Sequence, residues 1–121
     1  MPQPETVRRI KSYSAATGYV YQYHFAEVRK THRGMVAGTE YVYLVSVDRK
    51  TTFPLRIFLR RAAIQKWGKK NGREMTGTEE YAVAKMRLLQ AFDEVSDLAA
   101  TRPDLTVDES NLEALLEKLD L

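Results

Sequence analysis

The chain has 121 residues, 44% of them hydrophobic and 29% charged, with a net charge of +3 and no cysteine. That length suits one domain with a moderate core, and the missing cysteine excludes disulfides, Cys-ligated zinc, iron–sulfur clusters and thiol nucleophiles. The charge is divided: residues 1–75 carry 15 Lys/Arg and 5 Asp/Glu, and residues 76–121 carry 4 and 11, so the basic part either meets an anionic partner or is neutralised by the acidic part.

In chain order, residues 1–5 are Pro-rich and read as a tail. The start, MPQPET, has no basic patch ahead of an apolar run, so no secretory signal is expected. No apolar run approaches the length of a membrane span, and with no cysteine the expected location is cytoplasmic. Thr6 to Tyr13 predicts a first strand, imperfectly alternating, whose Arg8, Arg9 and Lys11 suit a sheet edge. Ser14 to Gly18 is a short loop with Gly18 left-handed. The first strand is thus half of a hairpin with Tyr19–Val28.

The stretch Tyr19–Val28 alternates strongly. Tyr19, Tyr21, Tyr23 and Phe25 fall on one face, and Val20, Gln22, His24, Ala26 and Val28 on the other. Arg29 to Gly38 reads as a long polar loop, and Tyr41–Val47 as the third strand. Asp48 opens a turn in which its carboxylate accepts a local backbone N–H. Strand four, Phe53–Leu59, puts Phe53, Leu55, Ile57 and Leu59 on its core face, while Pro54 places it at an edge or delays its pairing.

From Arg61 the period becomes helical, to about Lys70, with Asn71-Gly72 as the stop. Thr76 and Glu79 have capping-box spacing. A long helix from about Thr78 to Ala99 follows, with Tyr81, Ala84, Leu88, Phe92, Val95 and Ala99 as its apolar stripe. A last helix begins near Ser110, capped by Ser110 and Glu113, with Leu112, Leu115, Leu116 and Leu119 on one side. The expected fold is one α+β domain over 1–121: a sheet over 6–59, helices over 61–99, then a linker and terminal amphipathic helix over 100–121. The sheet has four antiparallel strands in meander order 1-2-3-4, with two or three helices on one face.

Chemistry is sparse. His24 and His32 are the available histidines, and no serine sits in a Gly-x-Ser-x-Gly elbow. Gly34–Gly38 lacks the Lys-Ser/Thr of a phosphate loop and precedes a strand, not a helix. No catalytic set, metal site or cofactor is expected. Tyr23, His24 and Glu27 are the nearest approach to an enzymatic group.

Two binding readings remain. A small non-enzymatic module that self-associates, as a homodimer, would use the apolar positions Val20, Val28, Val42, Leu44 and Phe58 of the uncovered sheet face, with Leu112 and Leu116 of the last helix. Alternatively, a nucleic-acid-binding protein would stack bases on the tyrosine stripe and hold phosphates with Arg8, Arg9, Lys11, Arg29, Lys30, Arg33, Arg49, Lys50 and Arg56. Against the second stands the ordinary fate of such a stripe, burial under a helix.

Overall fold

The computed structural model describes residues 9–119. Within them lie strands β1 (Lys11–Ser14), β2 (Val20–Arg33), β3 (Val36–Ser46) and β4 (Phe53–Arg60). Helices α1 (Arg61–Asn71), α2 (Gly77–Glu94) and α3 (Leu98–Thr101), strand β5 (Leu105–Val107) and helix α4 (Leu112–Lys118) follow. The class is α+β as expected, but the sheet has five strands in the order β1-β2-β3-β4-β5. The first four are antiparallel, and β5 runs parallel to β4. A parallel neighbour needs a crossover, and α1 to α3 supply it. Pro54 sits on β4 outside the Ile57–Leu59 stretch that β5 joins, so its missing N–H costs β5 no ladder bond.

The first hairpin closes as the sequence predicts, with Gly18 at φ 99° and Ala15 N–H on Tyr19 O at 2.8 Å. The loop is tied to the far end of α2. Tyr13 OH donates to Asp93 at 2.7 Å and Ala16 N–H donates to the same carboxylate at 2.9 Å. The Ala16 N–H, then the Tyr13 hydroxyl, hold the Asp93 carboxyl below its ordinary range.

Two expectations about the central hairpin fail. The polar stretch from Arg29 is not a loop: β2 runs to Arg33, and β3 starts at Val36 after the two-residue turn Gly34-Met35. Gly34 takes φ 62°, the left-handed value that a type II′ turn asks of its first central residue. The side-chain phase also changes. The β2–β3 register shifts between Phe25 and Glu27, so Ala26 is the extra residue of a bulge. Residues opposite one another share a face. Val28, opposite Tyr41, is therefore on the tyrosine side, not with Val20 and His24.

The core lies between that face and the helices. Tyr21, Tyr23, Tyr41, Tyr43 and Val45 are buried there, with Phe53, Leu55, Ile57 and Leu59 from β4 and Leu105 and Val107 from β5. Helix α2 brings Val83, Ala84, Leu88, Ala91 and Phe92 onto them. Its start is the expected capping box: Glu79 N–H donates to Thr76 Oγ1 at 3.1 Å, and Thr76 N–H to Glu79 Oε1 at 2.9 Å. Its end is earlier than predicted. Val95 is extended at φ −107°, ψ 118°, and Asp97 caps the separate turn α3 through Ala100 N–H, so Val95 and Ala99 leave the stripe. Helix α1 stops at Gly72, φ 71°. Helix α4 is not opened by a Ser110–Glu113 box. Asp108 accepts Ser110 N–H at 2.9 Å, while Asn111 bridges Asp108 N–H and Thr106 O, each at 2.9 Å.

Candidate functional site

The burial pattern moves the predicted site residues. Tyr21, Tyr23, Tyr41 and Tyr43 are buried beneath α2, and Phe25 packs edge-on against Tyr81 at 5.5 Å. Among them only the rim residue Tyr19 is exposed. Rings enclosed this way offer no platform for bases.

The other sheet face is a charged lattice. Register places Glu27, Arg29 and Arg33 of β2 on it with Glu40 and Val42 of β3 and Arg56, Phe58 and Arg60 of β4. Glu40 is 6% exposed, and three predicted anion-binding arginines converge on it. Arg29 donates to its Oε1 from Nη2 at 2.8 Å and Nε at 3.1 Å; Arg33 and Arg56 stand at 3.5 and 3.9 Å. Arg33 also lies over the Phe58 ring, 4.7 Å from its centroid, and Arg60 pairs with Glu109 at 3.5 Å. The arginine stems cover what the charges leave open.

Most of the predicted interface residues lie inside the protomer. Val42 and Phe58 are buried, and Leu112 and Leu116 belong to the core; Leu44 is half-buried. Val20 and Val28 remain exposed, at 46% and 48%, but the bulge puts them on opposite faces. Four of the seven positions are therefore already satisfied within the protomer.

The remaining predicted cations scatter. Arg9 and Lys11 line a cavity of about 380 Å³ at the β2 bulge with Tyr23, Phe25, Tyr43 and Tyr81. Arg49 and Lys50 border a hollow of about 400 Å³ with Gln22, His24 and Ser46. Arg8 lies outside the described residues. Asp48 is spent on its own turn, accepting Lys50 N–H at 2.8 Å and Thr51 N–H at 2.9 Å. Those two bonds, Thr51's first, hold its carboxyl at about 2. Tyr23 and His24 alternate along β2 yet both border these two hollows, whereas Glu27 lines neither and pairs with Arg29 at 3.5 Å.

Lys30 stands apart, because it opens into a groove of about 710 Å³ between α1 and the ends of β2, β3 and β4. Arg61 and Lys69 of α1 and Arg73 of the following connection also line it, with Glu74 and Glu80. Arg61, Gln65, Gly68 and Lys69 recur at helical spacing and make one wall. Gly68 lets the returning chain come close: a Cβ there would stand 3.1 Å from Arg73 O. Arg73 is braced by a two-pronged bond to Glu79, at 2.8 and 2.7 Å. Glu80 is half-buried. Burial raises its carboxyl above the ordinary range, opposed by the charge of Lys30, a hydrogen bond from Tyr41 and the charge of Arg61. Burial, then the charge of Glu80, pushes the Tyr41 phenol up to about 12.

Lys69 and Arg73 were missed as site residues, yet the signal is plain in the sequence. Residues 60–73, RRAAIQKWGKKNGR, hold six cations and no carboxylate. On the opposite flank of α1 the same charge is cancelled, Lys70 pairing with Glu113 at 2.9 Å. Among the described residues no cluster of three or more His, Asp or Glu could hold a metal ion, and no helix is long and apolar enough to cross a membrane. No family model, no curated protein and no solved structure matches the chain.

Proposed function

We propose that the protein is a small non-enzymatic binding module, cytoplasmic, that self-associates as a homodimer through the open flank of β2. The observation that carries this is a mismatch of lengths. Strand β2 has 14 residues, β1 pairs only with Val20–Tyr23, and among the described residues no strand covers that flank from Glu27 to Arg33. An uncovered ladder is a template for another chain. In a two-residue hairpin the closing pair, here Arg33 and Val36, is hydrogen-bonded, so the outward backbone groups are those of Val28, Lys30 and His32.

Charge selects a second copy as the occupant. A two-fold axis at Val28 sets Glu27 of one protomer opposite Arg29 of the other, twice. Other registers that align the outward groups set Arg29 against Arg29 or Lys30 against Lys30, which repel. Sedimentation velocity should show a dimer. Val28→Pro removes an outward N–H and should weaken the dimer about tenfold or more without altering the circular dichroism. Glu27→Lys should weaken it too. A strict monomer at high concentration, or a dimer indifferent to both changes, sinks the proposal.

A second reading, nucleic-acid binding, is favoured by the cations of residues 60–73 that face the groove beside α1, above all Arg61 and Lys69. It moves the contact from the tyrosine sheet to the α1 side. Affinity for single-stranded oligonucleotides should then fall steeply between about 50 and 200 mM salt as counterions are released; absent or salt-independent binding would sink it.

A further inference from the structure

We infer that the groove between α1 and β2–β4 binds the phosphate groups of a nucleotide or nucleic acid, and that Glu80 controls its occupancy. This deepens the nucleic-acid reading by naming a site, and the two can fail separately.

The groove's volume, about 710 Å³, is in the range that holds a nucleotide-sized ligand. Its cations come from three segments, Lys30 of β2, Arg61 and Lys69 of α1, and Arg73, so they surround a guest rather than lie in a row. Both terminal nitrogens of Arg73 are bonded to the Glu79 carboxylate, so its charge is offset there and the phosphate contacts fall to Lys30, Arg61 and Lys69. Between the charges lie Leu59, Ile64 and Met75, an apolar floor for a base or sugar.

Glu80 opposes an anion in this space. Facing it are Lys30 from β2, Tyr41 from β3 and Arg61 from α1, with Lys69, Arg73 and Glu74 around the same groove. When Glu80 is ionised its charge offsets part of the field of Lys30 and Arg61. When it is protonated, one negative charge leaves the groove. Burial already favours the neutral form. A phosphate favours it further, so binding takes up a proton and tightens as the pH falls through the acid range.

Fluorescence anisotropy with labelled ATP and with a labelled oligothymidylate, on the full chain, tests this. At least one probe should bind, more tightly at lower pH. Arg61→Ala with Lys69→Ala should weaken binding about tenfold or more, because two phosphate contacts are lost. Glu80→Gln should tighten binding at neutral pH and flatten the pH dependence. Binding of ATP alone assigns a small nucleotide, and of the oligonucleotide alone a phosphodiester backbone; either supports the site. No binding of either probe, or binding that all three substitutions leave unchanged, overturns it. Oligonucleotide binding indifferent to the groove variants would overturn the site while leaving nucleic-acid binding standing elsewhere on the surface.

Discussion

Phe92→Ala is expected to lower the unfolding free energy by about 3–5 kcal/mol, a large share of the roughly 5–15 kcal/mol that holds a domain together. Phe92 is fully buried and is where α2 meets the tyrosine stripe. Its ring stacks on Tyr21 at 4.3 Å and 10°, with Tyr23 at 5.6 Å and Tyr13 at 5.8 Å. Truncation removes the apolar transfer term, opens a cavity that the three surrounding rings cannot collapse into, and forfeits stacking worth about 0.5–1.5 kcal/mol per pair. The damage should spread, because the neighbouring Asp93 and the Phe92 carbonyl hold the first hairpin through Tyr13, Ala16 and Thr17. Urea unfolding should show a lower midpoint with an unchanged slope. Phe92→Leu should lose less than half as much. A loss below about 1 kcal/mol would mean that α2 does not seat on β2 as described.

That contact was readable from the sequence because two strong periods crossed in it. The alternation of Tyr21, Tyr23 and Phe25 and the helical spacing of Tyr81, Leu88 and Phe92 each select one face, and burial joins them. What could not be read was decided by single residues. The bulge at Ala26 reverses every later side chain of β2, and its cause is the pairing with β3 rather than any local residue preference. Arg29 to Arg33 look like loop because charge dominates them, yet as edge-strand residues they need bury little. Leu105–Val107 is too short to carry a period and becomes a strand only because β4 offers a partner. Val95 continued the apolar spacing of α2 but left the helix, with Asp97 capping a new turn.

The functional surfaces divide along the same line. Net charge was legible, but its compensation was not. Arg29 and Arg33 lie on one strand, Glu40 on the next and Arg56 on a third, and only the register of β2, β3 and β4 brings the three arginines to that one buried carboxylate. A basic sheet face thereby becomes a locally paired lattice, so an anionic partner gains less there than the residue count suggests. Around α1 the acidic part of the chain pairs Glu109 with Arg60, Glu113 with Lys70 and Glu79 with Arg73, and no such ion pair is seen at Arg61 or Lys69 among the described residues. The division between basic and acidic parts of the chain is thus partly internal neutralisation and partly an unspent charge on the groove side.

Gly38→Ala should be nearly as damaging as the loss of Phe92, about 3 kcal/mol or more, for the opposite reason. Gly38 lies on β3 opposite Thr31 and Arg60, and the Phe58 ring rests where its side chain would be. A Cβ at this position would press on Phe58 Cζ, stand 2.7 Å from Phe58 Cε1 and 2.5 Å from the Leu59 carbonyl oxygen. The ring cannot simply swing away, because Arg33 lies over it, and the carbonyl belongs to β4, which pairs with β3 there. Relief requires separating β3 from β4 near Leu59, and that would disturb β5 and the Arg33–Glu40 contact together. Gly77→Ala is the matched control. A Cβ there meets nothing within 4 Å, the residue opens α2, and the change should be neutral or stabilising by up to about 1 kcal/mol. Thermal unfolding of the two variants beside the parent protein would separate them by many degrees in Tm. If Gly38→Ala proved as harmless as Gly77→Ala, Phe58 would have to lie elsewhere, and the closed outer face that argues against a sheet-to-sheet interface would lose its basis.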